Sequence, residues 1–133
     1  MGGFSYPRSA RLVRGWEYDY VFRTGRRKRG ALVRLLFAPG PDGATRFGLA
    51  VGSRQGGSAE RNRGKRILKE AVRRLRPWMR EGTWIVAMLT DAGLKANARE
   101  VYEEMAKLCR ESGLLSDDWP GLQWMPCRGA DSA

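Results

Sequence analysis

The spacing of apolar and polar residues predicts three elements in the first 52 residues. Residues 15–24 have the period of a short helix, and Gly25 is expected to end it as a left-handed cap. Two apolar runs, at 31–38 and 46–52, are typical of strands and are separated by a segment rich in Pro and Gly. We therefore expect them to pair as a hairpin. The basic stretch at 26–29 is predicted to be flexible.

The rest of the pattern predicts two helices around one strand. A helix of about 59–76 follows Ser58, a plausible N-cap. The continuous apolar run at 84–89 is typical of a strand covered on both faces. A last helix at about 97–112 carries one apolar stripe, formed by Ala98, Val101, Tyr102, Met105, Leu108 and Cys109. Only three strands are clear in this pattern.

The charge is strong and unevenly placed. The 133 residues carry a net charge of +11, since 25 basic residues stand against 14 acidic ones. Residues 1–81 hold 20 bases and 6 acids, whereas residues 82–133 hold 5 bases and 8 acids. A localised positive field attracts polyanions, so nucleic acid is the first expectation and an anionic membrane surface the second.

Composition excludes several other classes of protein. The chain has no His, which removes His-based zinc sites and Ser-His-Asp or Cys-His catalytic groups. Cys109 and Cys127 lack CxxC spacing and indicate a reducing compartment. No apolar run approaches the roughly 20 residues that span a bilayer, and the start lacks the apolar region of a signal peptide. We expect a soluble cytoplasmic protein that acts without a membrane.

The predicted helix at 59–76 has two opposed faces. Its apolar residues fill an arc of about 140° and its basic residues an opposite arc of about 100°. A solvated charged face is the ordinary alternative, but only Glu60 and Glu70 offset nine bases between Arg61 and Arg80. Ion pairs within the helix cannot neutralise that excess. The helix therefore favours polyanion binding, and charge alone leaves DNA, RNA and membrane open.

The residues around this helix resemble those of the protein component of bacterial ribonuclease P. The resemblance rests on Arg61-Asn62-Arg63, followed by Lys65-Arg66 and Lys69-Glu70, and on the preceding passage FGLAVGSRQGGSAE. The segment RLVRGWEYDYVFRTGRR is similar to the first helix of the family. The match covers about residues 8–115, so we expect one domain there, with an extension at 1–7 and a flexible tail at 116–133.

The resemblance implies an α+β fold and a ribonucleoprotein function. Family members have the order α-β-β-β-α-β-α, with a left-handed βαβ crossover, similar to a ribosomal-protein domain. They join a large catalytic RNA that removes the 5′ leader from precursor tRNA. The active site lies in that RNA, which also binds most of the Mg²⁺, so no catalytic residue is expected in the protein. No obligatory protein partner is implied.

Site residues follow from the same resemblance by position. The basic helix is expected to contact the catalytic RNA through Arg61, Asn62, Arg63, Lys65, Arg66, Lys69 and Arg73. A cleft between the first helix and the sheet is expected to hold the single-stranded leader, with Tyr18, Phe22, Arg54 and Arg14 as its residues. Aromatic residues at helical spacing are also common core residues, which is the alternative role for Tyr18 and Phe22.

The sequence departs from the family at several positions, and other functions stay open. Ser53-Arg54 replaces a pair of cations, Met88 lies near an expected Arg, and Leu35-Leu36 lie where an aromatic residue is expected. Gly64 interrupts the basic helix on its core face. The alternatives are a non-catalytic RNA-binding protein of ribosomal type and a DNA-binding domain. A short-turn partner helix before the basic helix is missing, which disfavours the latter.

Overall fold

The computed structural model describes residues 8–52, 56–122 and 124. The helices and strands follow in the order α1 (Gly15–Thr24), β1 (Arg26–Arg29), β2 (Val33–Pro39), β3 (Arg46–Ala50), α2 (Ser58–Leu75), β4 (Thr83–Leu89), α3 (Asp91–Lys95) and α4 (Ala98–Glu111). Single 3-10 turns at Arg8–Ala10 and Arg76–Trp78 precede α1 and follow α2. The structure thus has the predicted α+β order, with α3 as an additional short helix. No helix within the described ranges is long and apolar enough to cross a membrane.

Four strands form one sheet in the order β1-β2-β4-β3, and this arrangement corrects two expectations. The predicted hairpin of β2 with β3 is wrong, because β4 lies between them, antiparallel to β2 and parallel to β3. The expectation of a flexible stretch at 26–29 is also wrong, because these residues are β1, paired antiparallel with β2. An edge strand is held by backbone hydrogen bonds and can remain fully polar, so apolar periodicity could not detect it.

The strand β4 is covered on both faces, as predicted. Ile85, Ala87 and Leu89 pack into the larger core, against α2 and α4. Trp84 and Val86 face the other way, into a smaller core that α1 covers through Val21. The helix α2 therefore connects the adjacent parallel strands β3 and β4 from one side of the sheet, while α1 lies on the other. The hand of this crossover stays a prediction.

The helix ends show where local signals were right and where they failed. Gly25 is not a left-handed cap, since its φ is −79°, and it allows the chain to extend directly into β1. Ser58 is the first residue of α2, and Gly57 is the N-cap, whose N–H donates to the Glu60 carboxylate at 2.7 Å. At α4 the Asn97 side chain accepts from the Glu100 N–H at 2.8 Å.

The C-terminal segment folds back over α2 and α4 as far as it is described. Trp119 and Trp124 pack against the larger core. The Trp124 ring lies 5.6 Å from that of Tyr102, centroid to centroid, and the Arg74 guanidinium stacks on it at 4.1 Å. The predicted extension at 1–7 lies outside the described residues.

Candidate nucleic-acid interface

The helix α2 presents its basic face because its opposite face is fully used in packing. Ile67, Leu68, Ala71, Val72 and Leu75 are buried, as predicted. Gly64 is buried as well, and a Cβ there would lie 2.8 Å from Leu94 Cδ1 and 3.0 Å from Leu89 Cδ1. Close contact between helix, strand and the α3 region therefore explains the glycine, as the core-facing position predicted. The packing directs the cationic side of α2 to solvent.

The predicted RNA-binding side chains divide into two groups. Asn62, Lys65, Arg66 and Lys69 are exposed, and within the described residues the three cations form no ion pair. The others are already engaged: Arg61 donates to the Gly56 carbonyl at 2.9 Å, Arg63 donates to the carbonyls of Leu94 and Ala96 at 2.7 and 2.8 Å, and Arg73 pairs with Glu70 at 2.7 Å. Arg63 thus ties α2 to the junction of α3 and α4.

The two aromatic residues of α1 have different environments. The Tyr18 ring lies directly over Gly48 of β3, where a Cβ would approach its ring carbon to 2.6 Å, and its hydroxyl donates to the Leu12 carbonyl at 3.3 Å. Burial raises the pKa of Tyr18, so the hydroxyl stays protonated. Phe22, one turn further along, keeps 39% of its surface exposed. Tyr18 is mainly a packing residue and Phe22 a cleft wall.

Beside these rings, four residues in register cross the sheet on the α1 side. We call this set the cleft row: Arg29 of β1 lies opposite Arg34 of β2, Arg34 opposite Met88 of β4, and Met88 opposite Ala50 of β3. Cross-strand partners project from the same face of a sheet. Phe22 lines the same pocket as three members of the row. The cleft therefore has an aromatic wall and a floor that becomes cationic toward β1.

Arg27, Arg29 and Arg34 also belong to this cleft and were not among the residues predicted for it. All three are exposed and line the pocket beside Phe22, and none forms an ion pair with another described residue. Arg34 gave a usable signal, because a single charge inside the apolar run 31–38 must lie on a face that the core does not fill. Arg27 and Arg29 gave none, since their strand was not recognised.

The remaining predicted residues lie apart from this pocket. Arg14 is exposed at the start of α1, and its N–H donates to the Glu17 carboxylate at 2.7 Å. Eight residues separate it from Phe22, which is about 12 Å along a helix. It does not line the pocket beside Phe22. Arg54 lies outside the described residues.

No acidic residue of the described chain lines the cleft pocket, and the two acids of α2 have partners. Lys28, on the opposite face of β1 from Arg27 and Arg29, pairs with Glu111 of α4 at 3.2 Å. The Glu60 carboxylate accepts a hydrogen bond from the Gly57 N–H. The Glu70 carboxylate forms ion pairs with Arg73 and Arg74. Across the described ranges no three Cys, Asp or Glu side chains come together as metal ligands. The exposed cations of the cleft and of α2 can bind anions.

Comparison with known proteins gives a consistent set of similarities. The family model described as Ribonuclease P matches residues 6–113. The ribonuclease P protein component of Symbiobacterium thermophilum is 36% identical over 107 residues, covering 79% of this chain and 92% of the relative. That of Xanthomonas euvesicatoria pv. vesicatoria is 34% identical over 111 residues, covering 83% and 75%. A mutant Staphylococcus aureus RNase P protein has the same fold, with a TM-score of 0.74 at 12% identity over 81% of this chain and 92% of that one.

Proposed function

Because the chain belongs to the ribonuclease P protein family, we propose that it holds the 5′ leader of precursor tRNA in the cleft while α2 binds the ribonuclease P RNA. Membership of the family makes it a protein component of a ribonucleoprotein endonuclease and implies the RNA partner. The observation that carries the proposal is the cleft row, which begins beside the loop that leads into α2 and continues past Phe22. The cleft and α2 lie on opposite faces of the sheet and approach each other at the end of β3, where Gly64 of α2 packs near Val51. The two RNAs can thus be bound on adjoining surfaces.

The helix α2 contributes charge without competing acids. Lys65, Arg66 and Lys69 are exposed on one side of a helix whose other side is anchored in the core. Cations of this kind bind phosphates and release counterions, which gives affinity with little dependence on sequence. Asn62 adds an amide that can donate and accept hydrogen bonds at a base edge or a 2′-hydroxyl. The face therefore suits a large folded RNA.

The cleft has the chemistry that an unpaired strand requires. Phe22 offers a partly exposed ring for base stacking, and Arg34 lies beside it with its guanidinium available for phosphate. Leu36 and Met88 provide an apolar floor with no group that reads a base edge. Such a site tolerates many leader sequences, which a processing enzyme with many precursors needs.

The division of labour follows from what the chain lacks among its side chains. There is no His in the sequence, and the described acids are dispersed or engaged in helix caps and ion pairs. We therefore assign cleavage to the RNA partner, which would also hold the Mg²⁺ ions, and we derive no step through a metal on this chain. The protein's contribution is to bind the substrate and place it. Because its RNA partner and substrate are cytoplasmic molecules in bacteria, we assign the chain to the cytoplasm.

Reconstitution tests the proposal directly. The purified chain is mixed with transcribed ribonuclease P RNA and precursor tRNA at low Mg²⁺, and 5′ processing is compared with that of the RNA alone. We expect strong stimulation, and no cleavage by the protein without RNA. Replacing Lys65 and Lys69 with Gln should reduce the slope of log affinity for the catalytic RNA against log salt by roughly 0.7 to 0.9 per lost contact. Absence of stimulation would refute the proposed function.

A further inference from the structure

The cleft row continues past the aromatic wall to the free edge of the sheet. In the described structure β1 has β2 as its only neighbour, and two of its four side chains lie on the cleft side, at the register positions of Leu36 and Arg34. These are Arg27 and Arg29. We infer that they form a distal subsite for the leader nucleotides that lie farthest from the cleavage point. This inference rests on the proposed function.

The direction of the leader follows from the order of the strands. Gly64 of α2 packs near Val51, which directly follows Ala50 at the end of β3, so the Ala50 end of the cleft row lies close to the helix assigned to the catalytic RNA. The β1 end lies at the opposite edge of the sheet. Because cleavage belongs to the RNA, the nucleotides next to the cleavage point lie toward β3. The 5′ end of the leader therefore runs toward β1.

The width of the sheet sets the leader length at which the subsite is reached. Three strand spacings separate β3 from β1, which is about 14 Å at the usual spacing. At about 3.4 Å for each nucleotide of a stacked strand, roughly four nucleotides cross that distance. Shorter leaders end over β4 or β2, whereas longer leaders pass between Arg29 and Arg27. Affinity should therefore rise with leader length and then level off.

The chemistry of the subsite favours phosphate over bases. Arg27, Arg29 and Arg34 lie within one pocket lining and are exposed, and no acid of the described chain pairs with them. A guanidinium fork matches two phosphate oxygens, and three adjacent forks can follow a strand through successive phosphates. Phe22 is the one aromatic residue among the described residues that line this pocket. The distal subsite should thus respond to leader length and salt, and not to leader sequence.

The same strand supplies a matched control. Arg26 lies opposite Phe37 and Lys28 opposite Leu35, which places both on the face of the sheet that carries α4. Lys28 accordingly pairs with Glu111. Replacing Arg26 and Lys28 with Gln removes two charges from β1, the same number as replacing Arg27 and Arg29 with Gln. Lys28 also lines the pocket beside Phe22, but its ammonium is paired with Glu111 of α4, so only the second pair removes cations that form no ion pair with a described residue.

The experiment measures the affinity of the reconstituted holoenzyme for precursors with leaders of about two and about ten nucleotides, a span that brackets the crossing length. We expect the wild type and the R26Q/K28Q variant to gain affinity on the long leader. The R27Q/R29Q variant should lose most of that gain, with a salt slope lower by about 1.4 for two single-strand contacts. Thermal midpoints of both variants confirm folding.

Two results would overturn the inference and leave the proposed function standing. One is an equal loss of the length-dependent gain in both double variants, which would reduce the effect to net charge. The other is a loss of precursor affinity in the R27Q/R29Q variant that is equal for short and long leaders. That result would place these arginines against the catalytic RNA. Failure of the proposed function is a different observation, namely a wild-type holoenzyme with no preference for precursor over mature tRNA.

Discussion

Replacing Phe22 with Leu tests the cleft most directly. The ring is 39% exposed, so a large share of it is available to a base, and Leu keeps much of the buried contact without the aromatic face. The loss of one stacked base costs about 1–3 kcal/mol, which corresponds to a roughly 5- to 150-fold weaker affinity for precursor tRNA. The folded state should lose less than about 1.5 kcal/mol, because the substitution is apolar and the site is only partly buried.

The assay compares precursor with mature tRNA in the reconstituted enzyme, together with the unfolding midpoint of each protein variant. Phe22→Leu should weaken precursor binding and leave mature tRNA unaffected, since only the precursor has a leader. Trp16→Leu is the control: Trp16 belongs to the same helix and is 56% exposed, but its ring contacts Trp84, away from the pocket. A Phe22→Leu protein that unfolds more easily but keeps the wild-type preference would refute the cleft role.

Three further changes test the frame that holds these surfaces. Gly64→Val should destabilise the protein by about 1–3 kcal/mol in urea unfolding, because its side chain would collide with Leu94 at a buried contact. Glu104→Ala should destabilise by a similar amount and speed hydrogen exchange at the turn before β2, because Glu104 accepts backbone N–H groups there. The pKa of Asp42 is held low chiefly by the Ala44 N–H, so its contribution to stability is complete at neutral pH and is lost as the pH falls below about 4. The urea midpoint of Asp42→Asn should therefore fall less steeply with acidification than that of the wild type.

The basic helix could be predicted in detail because its signals are local. Its apolar stripe, its charged stripe and the position of Gly64 all follow from one period along one segment, and the structure confirms each of them. Strand β4 was equally clear, because a strand buried on both faces must be apolar throughout. In these cases the residues that become buried can be identified from the hydrophobic pattern of one element alone.

The cleft could not be predicted because it depends on the pairing of distant strands. The insertion of β4 between β2 and β3 brings Met88 beside both Arg34 and Ala50, and no local pattern contains that choice. β1 is polar on both faces, and its place beside β2 is visible only once the backbone pairs. The role of Arg63 was obscured in the same way, since its partners are carbonyls more than thirty residues away.

The acidic second half of the chain gives the charge its final distribution. Glu111 forms an ion pair with Lys28 on the α4 side of β1, and Asp117 forms one with Arg80 beyond the end of α2. Arg74 is buried between Glu70 and the Trp124 ring, so its charge is neutralised inside the fold. Arg74 and Arg80 do not line the cleft pocket, and the Lys28 ammonium is already paired with Glu111 of α4. The net positive charge is thereby concentrated on the two surfaces assigned to RNA, where an acid within a few ångströms would cancel a phosphate contact.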